Sequence, residues 1–451
     1  MALSVAELQA TLHDLFNDTA QQLATDTAFC RRQRKLTGPV FAQALVFSLL
    51  ERPTASLEDF ADFAAQHLDV AVSAKAFEER FTAGAAAFLS ELFLEAFNRS
   101  FTAAAALLPL LRRFQGVYVQ DASTVGLPAG LADVLPGCGG GTAPGQGAAA
   151  LKLLPRLELT TGALEAVALL PGKGSERADE LAWAPLPAGA LLLEDLGFFD
   201  LGRLRHYHEQ GAYFLSRLPG RVAVWDGQGH KSLLAEFLRR QQAPALDAEV
   251  EVGAEARLRV RLVAERVPEA VARKREERLR RRASKKGRKV SADGLELCRW
   301  DVLVTNVPGW LLSAREARVL RRVRWQVELV FKVWKSEGRL DESRGRKPYR
   351  VLCEVLAKLL AMVVQHWASL VAGGSPLLYS QRKAARRVRR VALRLLRALA
   401  SVRRLAAVLE RLRRRVQRYG RVRSRKGSGQ PATFQTLLDP QRDGLHEVNP
   451  C

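Results

Sequence analysis

The chain has 451 residues, length for two or three domains, and its 48% hydrophobic and 26% charged content is that of a soluble globular protein rather than a disordered one. Its formal net charge of +23 is concentrated in two places: Arg273 to Lys289 holds eleven Lys/Arg against two Glu, and Arg382 to Lys426 holds nineteen against Glu410 alone. Such placement suits a phosphate-backbone footprint, with two solvated charge runs as the plainer alternative.

Residues 1 to about 110 read as helices. Apolar positions recur at three and four residues in Val5, Leu8, Leu12 and Leu15, and again in Phe77, Phe81, Ala85, Phe88, Leu92 and Ala96. Pro53 and Ser56-Leu-Glu-Asp mark a break and a new helix start. The character changes at Gly116-Val-Tyr-Val-Gln-Asp121, a short β-prone run that ends on an acid. Leu151 to Leu159 and Leu164 to Leu170, joined by Thr160-Thr-Gly-Ala163, predict a hairpin. A short helix fits Ser175 to Trp183, and Ala190-Leu-Leu-Leu-Glu-Asp195 is a second apolar strand ending on an acid. A helix over Leu201 to Gln210 and a strand over Ala212 to Leu218 follow. From Arg221 to about Trp300 the pattern alternates as in β-structure, interrupted by the first basic run as an exposed loop or helix. Asp301-Val-Leu-Val-Thr-Asn resumes a strand. Ser313-Ala-Arg-Glu316 has capping-box spacing and starts a helix expected to reach about Glu337. Further helices are predicted over 350–372 and 378–420. In the last, Val388, Leu395, Val402 and Leu409 recur at seven residues, with Leu399 and Leu405 nearby, a seam for dimerisation or for packing on the core.

Several chemistries find no support. Cys30, Cys138, Cys298, Cys353 and Cys451 form no CxxC and no metal-finger spacing, so free thiols in a reducing cytoplasm are expected. His206 and His208 have no third ligand nearby and read as surface helix residues. The Gly-rich stretch Pro136 to Gly147 lacks the Lys-Ser/Thr ending of a phosphate-binding loop. The N-terminus shows no signal-peptide pattern, and the apolar run Val351 to Ala372 is interrupted by Glu354, Lys358 and His366, which argues against a membrane span.

Two strands ending on Asp121 and Asp195 would place two carboxylates at one sheet edge, where a third carboxylate from a helix completes an oxygen-rich cage for Mg²⁺ or Mn²⁺. Two such ions about 3.5–4 Å apart activate a water or 3′-OH and stabilise the leaving oxygen of a phosphodiester. Taken singly, a strand-end aspartate is more often a turn residue or helix cap. On one continuous helix, Arg321, Arg324, Glu328 and Lys335, offset by 3, 7 and 14 residues, share one face at roughly 100° per residue. A carboxylate among cations on that face could bind metal while its neighbours grip phosphates. An amphipathic helix with ordinary ion pairs, such as Glu328 with Lys332, is the alternative. Trp325 and Trp334 add bulk that could stack on a displaced base.

The run Arg324-Trp-Gln-Val-Glu-Leu-Val-Phe-Lys-Val-Trp-Lys335 resembles the Y-x2-R-x3-E-x6-K signature of bacterial insertion-sequence transposases of the insertion-sequence-four type, with Arg324, Glu328 and Lys335 on its R, E and K. Val119-Gln-Asp-Ala-Ser-Thr124 and Asp195-Leu-Gly-Phe-Phe199 are similar to the family's two aspartate motifs, and Asp301 to Pro308 to the strand before the signature. The resemblance covers about residues 110–370. It implies an α/β fold with an RNase H-like catalytic core over 111–375, a β-rich insertion at about 219–305, an N-terminal helical DNA-end-binding domain over 1–110 and a basic C-terminal helical region over 376–451. It implies metal-dependent cleavage and strand transfer by Asp121, Asp195 and Glu328 with two Mg²⁺ (or Mn²⁺), acting on double-stranded DNA as a homodimer in the bacterial cytoplasm, with no membrane. Arg324 and Lys335 would contact phosphates near the cleaved end; Trp325 and Trp300 would stack on or receive a flipped base; Arg217 and Lys152 would touch the backbone. The chain departs from the signature at Arg321, a cation where the family has a tyrosine. Phosphate binding is compatible with that exchange, and a hairpin step does not follow. A silent DNA-binding derivative and a nuclease on the same fold are the competing readings.

Overall fold

The computed structural model describes residues 4–30, 32, 35–99, 101, 108–139, 147–255, 257–420 and 437. Cys451, the tip of the Gly-rich stretch and the end of the second basic run lie outside them. The fold is mixed α/β. Its strands in chain order are β1 (Val117–Gln120), β2 (Ser123–Leu127), β3 (Ala149–Glu158), β4 (Leu164–Pro171), β5 (Leu191–Leu193), β6 (Tyr213–Arg217), β7 (Ala223–Trp225), β8 (Lys231–Leu233), β9 (Ala245–Val252), β10 (Leu258–Arg266) and β11 (Trp300–Thr305). Two compact units divide the chain, each gathered from separate stretches.

The first unit comprises Met1–Ala106, Asp121–Leu181 and Gln326–Val422. Its centre is the helix Pro348–Gly373, which begins with proline at the first turn and ends at Gly374, whose φ of +76° suits a residue without a Cβ. This helix is long and apolar enough to cross a membrane, but 94% of its apolar window is buried within the protein. Helices Gly38–Glu51, Ala83–Asn98 and Val402–Tyr419 pack on it. The interrupting polar residues are each given a partner, as burial requires. Arg350 Nε reaches Glu354 Oε1 at 2.9 Å, Lys358 Nζ donates to the Arg339 carbonyl at 3.0 Å, and the His366 ring nitrogen lies 2.8 Å from the Gly162 carbonyl. Gly162 lies in the turn of the hairpin formed by β3 and β4, which β2 extends antiparallel along β3. Glu158 holds that turn by accepting from the backbone and hydroxyl of both Thr160 and Thr161, at 2.6 to 3.0 Å.

In the second basic segment the seam does not run through one helix. The chain forms three, Gln381–Arg389, Ala392–Ala398 and Val402–Tyr419. Val388, Leu395, Leu405 and Leu409 are buried by packing within this unit, whereas Val402 is 43% exposed. Arg382, Arg386 and Arg389 converge on the Glu337 carboxylate.

The second unit comprises Leu107–Gln120, Ala182–Trp325 and Arg423–Cys451. Its strands lie in the order β1-β5-β6-β11-β10-β9-β7-β8. β1, β5 and β6 are parallel, and the helix Leu201–Glu209 supplies the crossover between β5 and β6. From β6 onward the order is antiparallel through β11, β10, β9, β7 and β8. The strands within 219–305 thus continue the same strand order. Its core is built by Leu204, Phe214, Val224, Leu238, Val252, Leu262 and Val304.

The first basic run forms the helix Glu269–Ser284, from which only Ala272 is buried, and an exposed turn carrying Lys285, Lys286, Arg288 and Lys289. Both bonds of the Ser313–Glu316 capping box are made, and Glu316 also takes Arg113 in a two-pronged pair at 2.8 and 3.0 Å.

Candidate active site

Topology brings charged residues to one end of the second unit's strands. β1 and β5 run parallel with Val119 paired to Leu193. Asp121 and Asp195 therefore each stand two residues beyond the same pair. β5 is in register with β6 through Leu193 and Leu215, so β6 ends at the same level on Arg217. β11 runs the other way and pairs Leu303 with Arg217, which brings its first residues, Trp300 and Asp301, to that end.

Asp195 is aimed by its neighbour. Glu194 is fully buried and paired with an equally buried Arg203, which also donates to the carbonyls of Ala182 at 3.1 Å and Phe198 at 2.8 Å. Strand alternation then turns Asp195 outward, where its side chain is 41% exposed. Arg324, 13% exposed, places a guanidinium nitrogen 3.9 Å from Asp195 Oδ2. Arg217 makes no ion pair among the described residues. Although the residue as a whole is exposed, its guanidinium is held below the usual arginine range, first by desolvation and then by the charge of Arg321; Asp195 and Asp301 pull the other way.

In the first unit, Asp121 is half-buried and its Oδ1 accepts from the backbone of Ala122 at 2.9 Å. Glu328 lies in the first turn and Lys335 in the last turn of the helix Trp325–Ser336, the arrangement a helix dipole favours. That helix is fixed by Val330, Phe331, Val333 and Trp334, all buried. Glu328 stays partly open, with Lys332 at 3.9 Å. Lys335 Nζ donates to the Thr124 carbonyl at 3.0 Å, tying this helix to β2, the strand that follows Asp121.

Four expectations change. The helix expected from Ser313 to about Glu337 is two helices, Ala314–Val323 and Trp325–Ser336, interrupted at Arg324. Arg321 belongs to the first of these helices and is bonded to Asp301. Trp334 is 1% exposed and edge-on to Phe331, a core residue rather than a base platform. Trp300 is 2% exposed, with its indole nitrogen on Glu296 at 3.0 Å and Arg266 over its ring, so it is packed rather than presented. Lys152 is nearly buried and taken up by the Gly174 carbonyl at 2.7 Å and Glu176 at 3.1 Å. Trp325 remains half-exposed. Sequence reasoning missed Asp301 as the partner of both Arg321 and Arg275, because residues on separate elements carry no spacing signal.

Among the described residues no group of three or more His, Cys, Asp or Glu is drawn together as a metal site. The chemistry of Asp121, Asp195 and Glu328 still fits a hard divalent cation, since all donors are carboxylate oxygens and none is a soft ligand. Cys30, Cys138, Cys298 and Cys353 are free thiols, and burial pushes the Cys353 thiol up.

A family model described as the transposase DDE domain matches residues 119–364. The chain is 23% identical over 364 residues to the transposase for insertion sequence element IS231B of Bacillus thuringiensis subsp. berliner, covering 76% of this chain and 75% of that one. It is 25% identical over 393 residues to the IS231C transposase from the same source, covering 81% and 80%. Against the IS1151 transposase of Clostridium perfringens it is 23% identical over 364 residues, with 76% of each covered.

Proposed function

The chain belongs to the transposase DDE domain family, and from that premise we propose that it cuts DNA at the inverted-repeat ends of its own insertion sequence and joins them to a target by cut-and-paste transposition. As an insertion-sequence transposase it is an enzyme that acts on DNA, and DDE domains use divalent metal ions. The finer reading is an RNase H-like core of the insertion-sequence-four type in which Asp121, Asp195 and Glu328 hold two Mg²⁺, with Mn²⁺ able to replace them.

The observation that carries this reading is the strand register: Asp121 and Asp195 stand equally far beyond the Val119–Leu193 pair of two parallel strands. Such adjacent strand ends are where two carboxylates can share one ligand. Bound there, the ions would supply a nucleophilic oxygen and stabilise the leaving one. The chain's own groups then orient the DNA. Arg324 and Lys335 bind phosphates next to the scissile bond, Arg217 meets the backbone, and Trp325 offers a ring to an unstacked base. The N-terminal helices over 1–110 bind the transposon end. The basic region over 376–451 contacts DNA within a synaptic homodimer, through its outward arginines.

The test is cleavage of duplexes bearing the element's own inverted repeats. Asp121→Ala, Asp195→Ala and Glu328→Ala are each expected to abolish cleavage while retaining binding. Wild-type cutting by any of them removes that residue from the proposal. A silent DNA-binding derivative would bind the repeats and cut nothing even as wild type.

A further inference from the structure

Asp301 stands among arginines at the strand ends of the second unit. It bonds Arg321 from the helix Ala314–Val323, and Arg275 from the basic helix Glu269–Ser284 comes within 3.7 Å. Arg275 also donates to the Trp300 carbonyl at 2.9 Å, which fixes its direction. Arg217 lies near enough for its guanidinium to feel the charges of Arg321, Asp195, Asp301 and Arg275. Two guanidinium groups thus face one carboxylate, with a third nearby. The side chains of Asp301, Arg321 and Arg275 are 20%, 28% and 31% exposed, open enough to exchange partners.

A neighbouring pair supplies a contrast. Glu265 lies directly opposite Asp301 across β10 and β11, and it binds Arg318, one turn before Arg321 on the same helix. Facing acids repel, and the two arginines offset that repulsion while docking the helix. Among the described residues Glu265 pairs with Arg318 alone, whereas Asp301 is approached by both Arg321 and Arg275. Asp301 has an excess of cations around it, the property of an anion site.

A phosphodiester resembles this carboxylate in charge and in presenting two oxygens to a guanidinium fork. We propose that Asp301 is a resident stand-in for a DNA phosphate: it holds Arg321 and Arg275 in place in the free protein and yields them to the backbone when DNA binds. Arg321, at the position of the signature tyrosine, is then a phosphate ligand kept in check by its own counter-ion. This rests on the proposed action on DNA but not on the carboxylate triad.

The experiment measures binding of an inverted-repeat duplex with EDTA present, so that no cutting intervenes. Five proteins are compared: wild type, Asp301→Asn, Glu265→Gln, Arg321→Gln alone, and Asp301→Asn in the Arg321→Gln background, each with a thermal melt as the check on folding. Asp301→Asn should bind at least about five-fold tighter, and its log affinity should fall more steeply with log salt, by about 0.9. Glu265→Gln, which adds the same charge, should not tighten binding, and the gain should vanish without Arg321. Unchanged or weaker binding by a folded Asp301→Asn overturns the proposal, as does equal tightening by Glu265→Gln or a gain that survives Arg321→Gln. Failure of wild type to bind the repeats would instead remove the proposed function itself, and this inference with it.

Discussion

A buried histidine far from the strand ends offers a residue-scale check. Burial lowers the His366 pKa to about 4, against a smaller opposing pull from the Gly162 carbonyl. An unfolded histidine titrates near 6.5. Between those values the unfolded chain binds the extra proton, so stability rises with pH there. The neutral ring's contribution is complete above about pH 6.5 and is lost as pH falls towards 4, to the extent of about 3 kcal/mol. His366→Gln keeps a donor for Gly162 and removes the titration. Urea unfolding at pH 7 and pH 4 should therefore show a smaller acid loss for the variant, and equal losses would contradict the assignment. The same scale shows why parts of the site escaped the sequence. Asp195 and Glu328 sit in motifs whose spacing is visible. The buried Glu194–Arg203 pair that turns Asp195 outward joins a strand to a helix, and no periodicity announces it.

Among the elements, apolar period identified the hairpin of β3 and β4, the parallel strands ending near the aspartates, and the long helix Pro348–Gly373. It read one helix where there are two, because the apolar pattern continues across Arg324, whose own φ of −48° and ψ of −32° are helical. It also joined three C-terminal helices into one seam. There the heptad spacing was real, but Val402 falls at a helix start and faces outward. Since Leu409 is 2% exposed and packs inside the first unit, Leu409→Ala should cost about 2–5 kcal/mol. The oligomeric state measured by light scattering should not change. A shift in mass with stability intact would return the seam to an interface between copies.

For the whole molecule the charge reading concerns salt. The turn after the helix Glu269–Ser284 exposes Lys285, Lys286, Arg288 and Lys289, and none of them makes an ion pair among the described residues. If all four meet phosphates, replacing them with alanine should flatten the log–log salt dependence of DNA binding by about 3 to 4. An unchanged slope would leave this segment a solvated face. Composition alone could place such basicity along the chain but not beside β11, where Arg275 meets Asp301. The central claim is narrower: the strand-end carboxylates hold the metal on which cutting depends. Thiolates suit softer ions than Mg²⁺, and Mn²⁺ tolerates them better. The direct measurement is cleavage of an inverted-repeat duplex by Asp195→Cys in each metal. Loss of cutting in Mg²⁺ with partial recovery in Mn²⁺ is the expected result; equal cutting by variant and wild type in Mg²⁺ would contradict metal binding at Asp195.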